Sequence, residues 1–400
     1  MDTTLSSQDP TNKHYLIPDV APSHDCNASK KAKPQDWSSS NTHDTGHHWP
    51  LPSTSFVARS AVAANITDHK QDGVLIHGPS VLPEAKRALA ILNGDNKQGI
   101  KIPYIMMTNG GGSTEADRVA RLSAELGTQV HPNQMVQSHT VLRSLAHKYA
   151  EEPVLVLGGI NEAVRKVAEG YGFKKSYSAL DVLASNPSVF PFHRITPEEL
   201  MAAKPFDLPN TAFRAVFVFC DSRNWGLDIQ VMIDVLRARG GVIGAPYRVK
   251  GDPPVVELVF CNPDLLWRND FPQHRFAQGV FKESFQSVHK LMTGETYPYK
   301  QFGKPTPETY DFAKELLLAH ATELGGPKVP GAPETSVYMV GDNPESDIAG
   351  ANAANWSSIL VHTGVYDPSL GLPPTSKPTI ELQNVEEAVK WAMQREGMEI

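Results

Sequence analysis

In the stretch "YMVGDNPESDIAGA" an apolar run delivers Asp342, and Asp347 follows after a short turn. Two carboxylates close together at a strand end suit a hard divalent cation. Mg²⁺ takes oxygen ligands, keeps waters, and is often held by one or two carboxylates plus a substrate phosphate. The alternative for Asp347 is a helix N-cap ahead of "IAGANAA". "QFGKPTPETYDFAKELL" sets Lys304 in a Gly-Lys-Pro turn just before an amphipathic helix. A fixed ammonium there would neutralise a phosphate and a nearby carboxylate; the alternative is a solvated surface lysine. "MMTNGGG" offers the Thr108 hydroxyl with Asn109, Gly110 and glycine-flanked backbone N–H groups, a cradle of the kind that holds anions. "NITDHKQDGVLIHG" adds Asp72, followed by Gly73 and an apolar Val74-Leu75-Ile76 run.

These groups need elements to position them. From about residue 70 onward, short apolar runs alternate with amphipathic helical stretches. "IPYIMMTNGGG", "PVLVLGG", "RAVFVFCD", "VVELVFCN", "SVYMVGDN" and "SSILVHTGV" read as buried strands. "TEADRVARLSAELG" reads as a helix, with Thr114 and Asp117 at its start and Gly127 as its stop. The alternation predicts an α/β fold, a mostly parallel sheet wrapped by helices. Ligands of such sheets gather at the carboxyl ends of the strands, which here carry Thr108-Asn109-Gly110, Asp221, Asn262-Pro263-Asp264 and Asp342-Asn343.

Composition narrows the function classes. The 400 residues hold 37 Lys plus Arg against 44 Asp plus Glu, a net charge of −7, which argues against the basic face of a nucleic-acid binder. No apolar run approaches the roughly 18 residues of a membrane span. Cys26, Cys220 and Cys261 form no Cys-x-x-Cys pair, so neither a zinc knuckle nor a disulfide framework is indicated, and a reducing compartment is expected. Neither a secretory signal nor a mitochondrial presequence is read at the N-terminus. Residues 1–55 read as a disordered tail, in which "HDTGHH" is favoured as a polar run with no specific ligand over a metal-binding one. A dinucleotide-dependent oxidoreductase is disfavoured because no Gly-x-Gly-x-x-Gly follows an N-terminal strand.

The order of motifs is distinctive: Asp-Gly, Thr-Asn-Gly, a long insertion, Gly-Lys-Pro, then Gly-Asp-x₄-Asp. "DGVLIHGPSVLPEA", "TNGGG", "DSRNWGLDIQ", "VFCNPDLLW", "FGKPTPETY" and "VGDNPESDIAGANAANW" resemble the haloacid-dehalogenase (HAD) superfamily. Within it the chain is most similar to class IIA hydrolases of the cat-eye-syndrome-region hydrolase-like subgroup, from about residue 70 to about 370. The resemblance implies a Rossmann-like parallel-sheet core in two parts, 56–151 and 276–400. Between them it implies an inserted α/β cap domain of the C2 type at 152–275. It implies a Mg²⁺-dependent phosphohydrolase that works through an aspartyl-phosphate on a small phosphorylated substrate. Asp72 matches the general acid and base whose backbone carbonyl helps hold Mg²⁺, and Thr108 the hydroxyl that binds the phosphoryl group, with Asn109 and Gly110 beside it. Lys304 matches the motif lysine, Asp342 the metal carboxylate and Asp347 the accessory acid. The subgroup leans towards mitochondria, with the cytoplasm as the alternative. Partner expectations are the substrate and a homodimer, with no nucleic acid and no membrane span.

One position departs from the pattern. The attacking aspartate belongs two residues before Asp72, and that residue is Lys70. An ammonium forms no acyl-phosphate. Asp68 is the nearest upstream carboxylate, four residues before Asp72. The segment ahead, "ARSAVAANITDHKQ", is alanine-rich and then polar, so the first core strand is expected to be weak or absent. Two explanations stay open: a catalytically inactive HAD-fold binding protein, or a misplaced exon boundary just before Asp72. In the cap, Arg223 is a candidate clamp for a second anionic group and Trp225 a stacking platform. Their alternatives are a surface pair with Asp228 and packing in the cap core.

Overall fold

The computed structural model describes residues 60–65, 73–77, 80–249, 251–267, 271, 273–325 and 336–400. The expected tail with its "HDTGHH" run, and Asp68, Lys70 and Asp72, lie outside them. The chain enters through β1 (Ser60–Asn65), a short antiparallel pair β2 (Ile76–His77) and β3 (Ser80–Val81), β4 (Tyr104–Met107) and β5 (Met135–Val136). It continues through β6 (Val154–Leu157), β7 (Ser176–Tyr177), β8 (Ala215–Val218), β9 (Glu257–Phe260), the β10 (Leu266–Trp267) and β11 (Arg275–Phe276) hairpin, and β12 (Lys300–Gln301). It returns through β13 (Ser336–Gly341), β14 (Ser357–Val361) and β15 (Ile380–Leu382).

These strands build two all-parallel sheets. The core sheet runs β15-β14-β13-β1-β4-β5, and the inserted cap sheet runs β12-β9-β8-β6-β7. A parallel sheet is covered on both faces, so its strands must be apolar throughout; "YIMM", "VLVL" and "AVFV" are wholly buried. Side chains then sort by the two-residue period of a strand. In the core, Tyr104, Met106, Tyr338 and Val340 pack on one face, and Ile105, Met107, Val337 and Met339 on the other. In the cap, Leu155, Val216 and Leu258 face one cluster, and Val156, Phe217 and Val259 the other. The helix Glu115–Leu126 starts and stops as its sequence predicts: Thr114 accepts the Asp117 N–H, and Gly127 closes it at φ +70°.

The first core strand is neither weak nor absent. β1, "SAVAAN", lies in the centre of the sheet between β13 and β4. Strand preference is mostly a matter of what a segment packs between, and the apolar runs of β4 and β13 offer β1 a ladder on each side. Ala64 is level with Met106 on one neighbour and Val340 on the other. Two residues further on, Thr108 and Asp342 therefore stand at one level, flanking the carboxyl end of β1, about 10 Å apart across two strand spacings.

The cap's packing runs past residue 275. Its edge strand is β12, paired with β9, and the helix Gln278–Thr293 inserts Phe281 and Phe285 into the cluster of Val216 and Leu258. Among the described residues no helix is long and apolar enough to cross a membrane.

Candidate active site

The carboxyl ends of the core strands meet the cap at one buried polar cluster. β13 ends in Gly341-Asp342, and the chain turns at once into a π-helical turn, Pro344–Ile348. Asn343 caps that turn by accepting the Glu345 N–H, and the helix that follows, Ala349–Ala353, has Ile348 at its N-cap with no side-chain cap, so Asp347 does not cap it. The Asp347 carboxylate instead folds back over Gly341, where a Cβ would lie 2.2 Å from that of Asp347. Its Oδ2 accepts the N–H groups of Asp342 (3.2 Å) and Asn343 (3.1 Å). Its Oδ1 lies 2.6 Å from Lys304 Nζ. The two side chains are 0% and 2% exposed, so each charge has exchanged water for the other. Beneath them, the Tyr310 hydroxyl donates to the carbonyls of Ser346 and Asp347.

Lys304 is aimed by the turn before its helix. Gly303 holds φ +92°, and a Cβ there would come within 2.3 Å of the Cys261 carbonyl oxygen at the end of a cap strand. The Lys304 N–H donates to Asn109 Oδ1 (2.7 Å), and Asn109 Nδ2 donates to the Lys304 carbonyl (2.9 Å) and to Asp264 Oδ2 (3.0 Å). The Asn109 amide thus ties three segments together: the end of β4, the lysine turn and the end of β9.

Asp342 is 2% exposed. Its Oδ2 accepts the Val365 N–H at 2.7 Å. Two glycines press on this carboxylate: a Cβ on Gly73 (φ +71°) or on Gly364 would lie 2.5 or 2.1 Å from Oδ2. The Gly73 carbonyl accepts the Thr363 hydroxyl. The residue that follows Asp72 is therefore fixed against Asp342. Among the described residues no three His, Cys, Asp or Glu side chains gather as a metal cluster. One buried carboxylate flanked by two close-packed glycines is a sparse, all-oxygen donor set. That fits Mg²⁺, which takes few protein ligands and completes its shell with water and substrate phosphate.

Thr108 is buried. Its N–H donates to the Val136 carbonyl, and its Oγ1 accepts the Gly110 N–H (2.8 Å). The glycine turn beyond is held by His139, whose Nε2 accepts the Gly112 N–H at 3.1 Å. Burial pushes the His139 pKa down to about 4, so the ring is neutral and able to accept. Its Nδ1 contacts the Tyr171 hydroxyl, and that hydroxyl donates to Glu115.

The structure thus brings Thr108, Asn109, Gly110, Lys304, Asp342 and Asp347 to one end of the core sheet. Arg223 and Trp225 are not among them. The Trp225 ring packs against Phe281 and Phe276 of the cap. Arg223 is exposed and lines a separate cap cavity of about 290 Å³ with Asn161, His193, Glu199 and Asp228.

His139 carries little sequence signal, and for Asp264 the sequence marks only its place after a strand. His139 acts on a turn 27 residues earlier. Asp264 sits in "CNPDLLW" at a strand end, but only the fold shows its Asn109 partner. Asp264 is partly exposed as a residue, yet its carboxyl turns inward. Burial pushes its pKa up to about 6, against the pull of Lys304 and Asn109. A carboxyl raised above its unfolded value of about 3.9 favours the folded state most below that value, and this contribution is lost as pH rises through about 6. Asp264→Asn is expected to flatten the stability profile across pH 4 to 7 and to stabilise the protein at pH 7.5 by roughly 1–3 kcal/mol. Denaturant melts at the two ends of that range test this; an unchanged slope would refute the assignment.

Family models describe the chain at both ends of the core: haloacid dehalogenase-like hydrolase over residues 69–174 and HAD-hydrolase-like over 301–388. A mitochondrial hydrolase of Saccharomyces cerevisiae is 37% identical over 340 residues, 81% of this chain and 94% of that protein. A cardiolipin synthase (CMP-forming)/mitochondrial hydrolase fusion protein of Schizosaccharomyces pombe is 39% identical over 325 residues, 81% of this chain; the chain spans only 52% of the fusion's length. A crystal structure of 4-nitrophenylphosphatase from Thermotoga maritima shares the fold, with a TM-score of 0.54 at 19% identity over 82% of this chain and 96% of that one. Its parallel-sheet core, inserted cap and strand-end cluster, together with these relatives, make the chain a member of the haloacid dehalogenase-like hydrolase family.

Proposed function

We propose that this site takes a small phosphate monoester with Mg²⁺ and is built to hydrolyse it through an aspartyl-phosphate, with Lys70 standing where the attacking carboxylate belongs. The observation that carries this reading is the buried Lys304–Asp347 pair at 2.6 Å, set beside Asp342 at the strand ends. A fixed ammonium, a hydroxyl and a carboxylate are what a phosphoryl group and its cation require. Asp342 and the Asp72 backbone carbonyl would hold Mg²⁺, which neutralises charge on the phosphoryl oxygens when bound. Thr108 donates its hydroxyl to one phosphoryl oxygen, its own Oγ1 steadied by Gly110. Lys304, oriented by Asp347, neutralises another. With a carboxylate at position 70, its oxygen attacks phosphorus and the bond to the leaving oxygen breaks, while Asp72 gives that oxygen a proton. Asp72 then takes a proton from water. The water oxygen attacks the aspartyl-phosphate, and inorganic phosphate leaves with the carboxylate regenerated.

Lys70 favours a second reading of the same site, a phosphate-binding protein of this fold without turnover. Both readings share the binding step, which is where the test belongs. Calorimetric titration with inorganic phosphate is expected to show binding with Mg²⁺, loss of binding with a chelator, and at least a tenfold loss in Asp342→Asn, about 1.4 kcal/mol. Phosphate binding indifferent to both changes would remove the proposed site. The mitochondrial names of two relatives support a mitochondrial setting for this chain, with the cytoplasm as the alternative.

A further inference from the structure

A cleft of about 460 Å³ leads away from the polar cluster on the core side of the β10–β11 hairpin. That volume lies within the range of small-molecule sites, roughly 300–1,000 Å³. Asp264 and Asn343 are among its lining residues. Both are wired into the centre: Asp264 accepts from Asn109, and Asn343 donates its N–H to Asp347. Leu265, Leu266, Val365, Leu370 and Leu372 give its lining a large apolar share. All five are exposed, Leu370 at 70% and Leu372 at 68%. Scattered exposed leucines are ordinary, but a set gathered in the lining of one cleft marks a binding surface. Glu345 and Asp367 also line the cleft and would repel a second anionic group.

We propose that this cleft receives the leaving group, and that the substrate class is a phosphate monoester of an apolar alcohol, with one anionic head and an alkyl or aryl tail. The proposal rests on the phosphate-site reading above and adds to it the direction and chemistry of the tail. The phosphate sits at Lys304, Thr108 and Asp342. The tail passes Asp264 and Asn343 and lies between the Leu266 and Leu372 walls. A sugar phosphate would leave the leucine walls without an apolar partner, and a nucleotide would bring further negative charge against Glu345 and Asp367.

The test is calorimetric titration of the full chain with Mg²⁺ and a series of soluble n-alkyl phosphates, ethyl to octyl. Each added methylene is expected to tighten binding about two- to fourfold while the chain stays within the cleft. Leu266→Ser and Leu372→Ser, both at exposed positions, are expected to abolish the chain-length dependence and leave ethyl phosphate affinity unchanged. Ethyl and octyl phosphate binding equally would overturn the cleft assignment and leave the phosphate site standing. A chain-length dependence that survives in both variants would place the tail elsewhere and overturn it too. Binding of neither ligand would bring down the underlying phosphate site and the cleft with it.

Discussion

Lys304→Met is expected to destabilise the protein by about 3–5 kcal/mol and to remove phosphate affinity together with it. The argument begins with burial. Lys304 Nζ and Asp347 Oδ1 are 2.6 Å apart, and neither side chain reaches water. Removing the ammonium leaves a carboxylate that is fully buried with two backbone N–H donors but no countercharge. That stranded charge is the source of the cost, more than any net value of the pair. A rescue follows from the same logic. Asp347→Asn in the Lys304→Met background removes the stranded charge, while an amide oxygen still accepts the N–H groups of Asp342 and Asn343. The double variant is expected to regain most of the stability and none of the phosphate affinity. Thermal melts and phosphate titrations of the two single variants and the double variant separate the effects. A Lys304→Met protein as stable as the parent would mean that the pair is solvated in solution.

What could be read from the sequence follows from how each group is held. Strands buried on both faces announce themselves as apolar runs: β4, β6 and β8 are apolar throughout, and β9, β13 and β14 carry three or four apolar residues in a row after a polar start. β1 is not, because alanine carries little strand preference of its own and the neighbours decide. Thr108, Asp342 and Lys304 were legible because each lies beside a strand end or a turn that local sequence marks. Asp264 and His139 depend on partners 155 and 27 residues away, a distance no local pattern carries. The edge strand β12 is two residues long and has no period to read. Trp225 illustrates the converse: an aromatic residue just after a strand looks like a stacking platform, yet here its ring packs against two phenylalanines.

Lys70→Asp is expected to raise hydrolysis of 4-nitrophenyl phosphate from background by at least about 10³-fold, some 4 kcal/mol of barrier. Spacing identifies the position. Gly73 lies against Asp342, and the family resemblance puts the attacking carboxylate three residues before that glycine, at position 70. Charge points the same way. A lysine beside a bound divalent cation would meet like charge; for two unit charges at 4 Å and an effective dielectric of 20 the cost is about 4 kcal/mol. An aspartate would instead add a ligand. Asp68 is the competing candidate. It lies two residues further back, about 6–7 Å along an extended chain, and β1 ends at Asn65, only three residues before it. Assays of the parent chain, Lys70→Asp and Asp68→Ala side by side decide between them. Turnover by the parent that Asp68→Ala abolishes would show a displaced carboxylate doing the attack. A silent parent with an active Lys70→Asp variant would show that Thr108, Lys304, Asp342 and Asp347 already form a working site and that one side chain separates binding from turnover. The origin of that side chain would then be settled by transcript sequence across "TDHKQDG". Reads that pass straight through it would make the loss a property of the natural protein, and reads that diverge just before Asp72 would make it an artefact of a misplaced boundary.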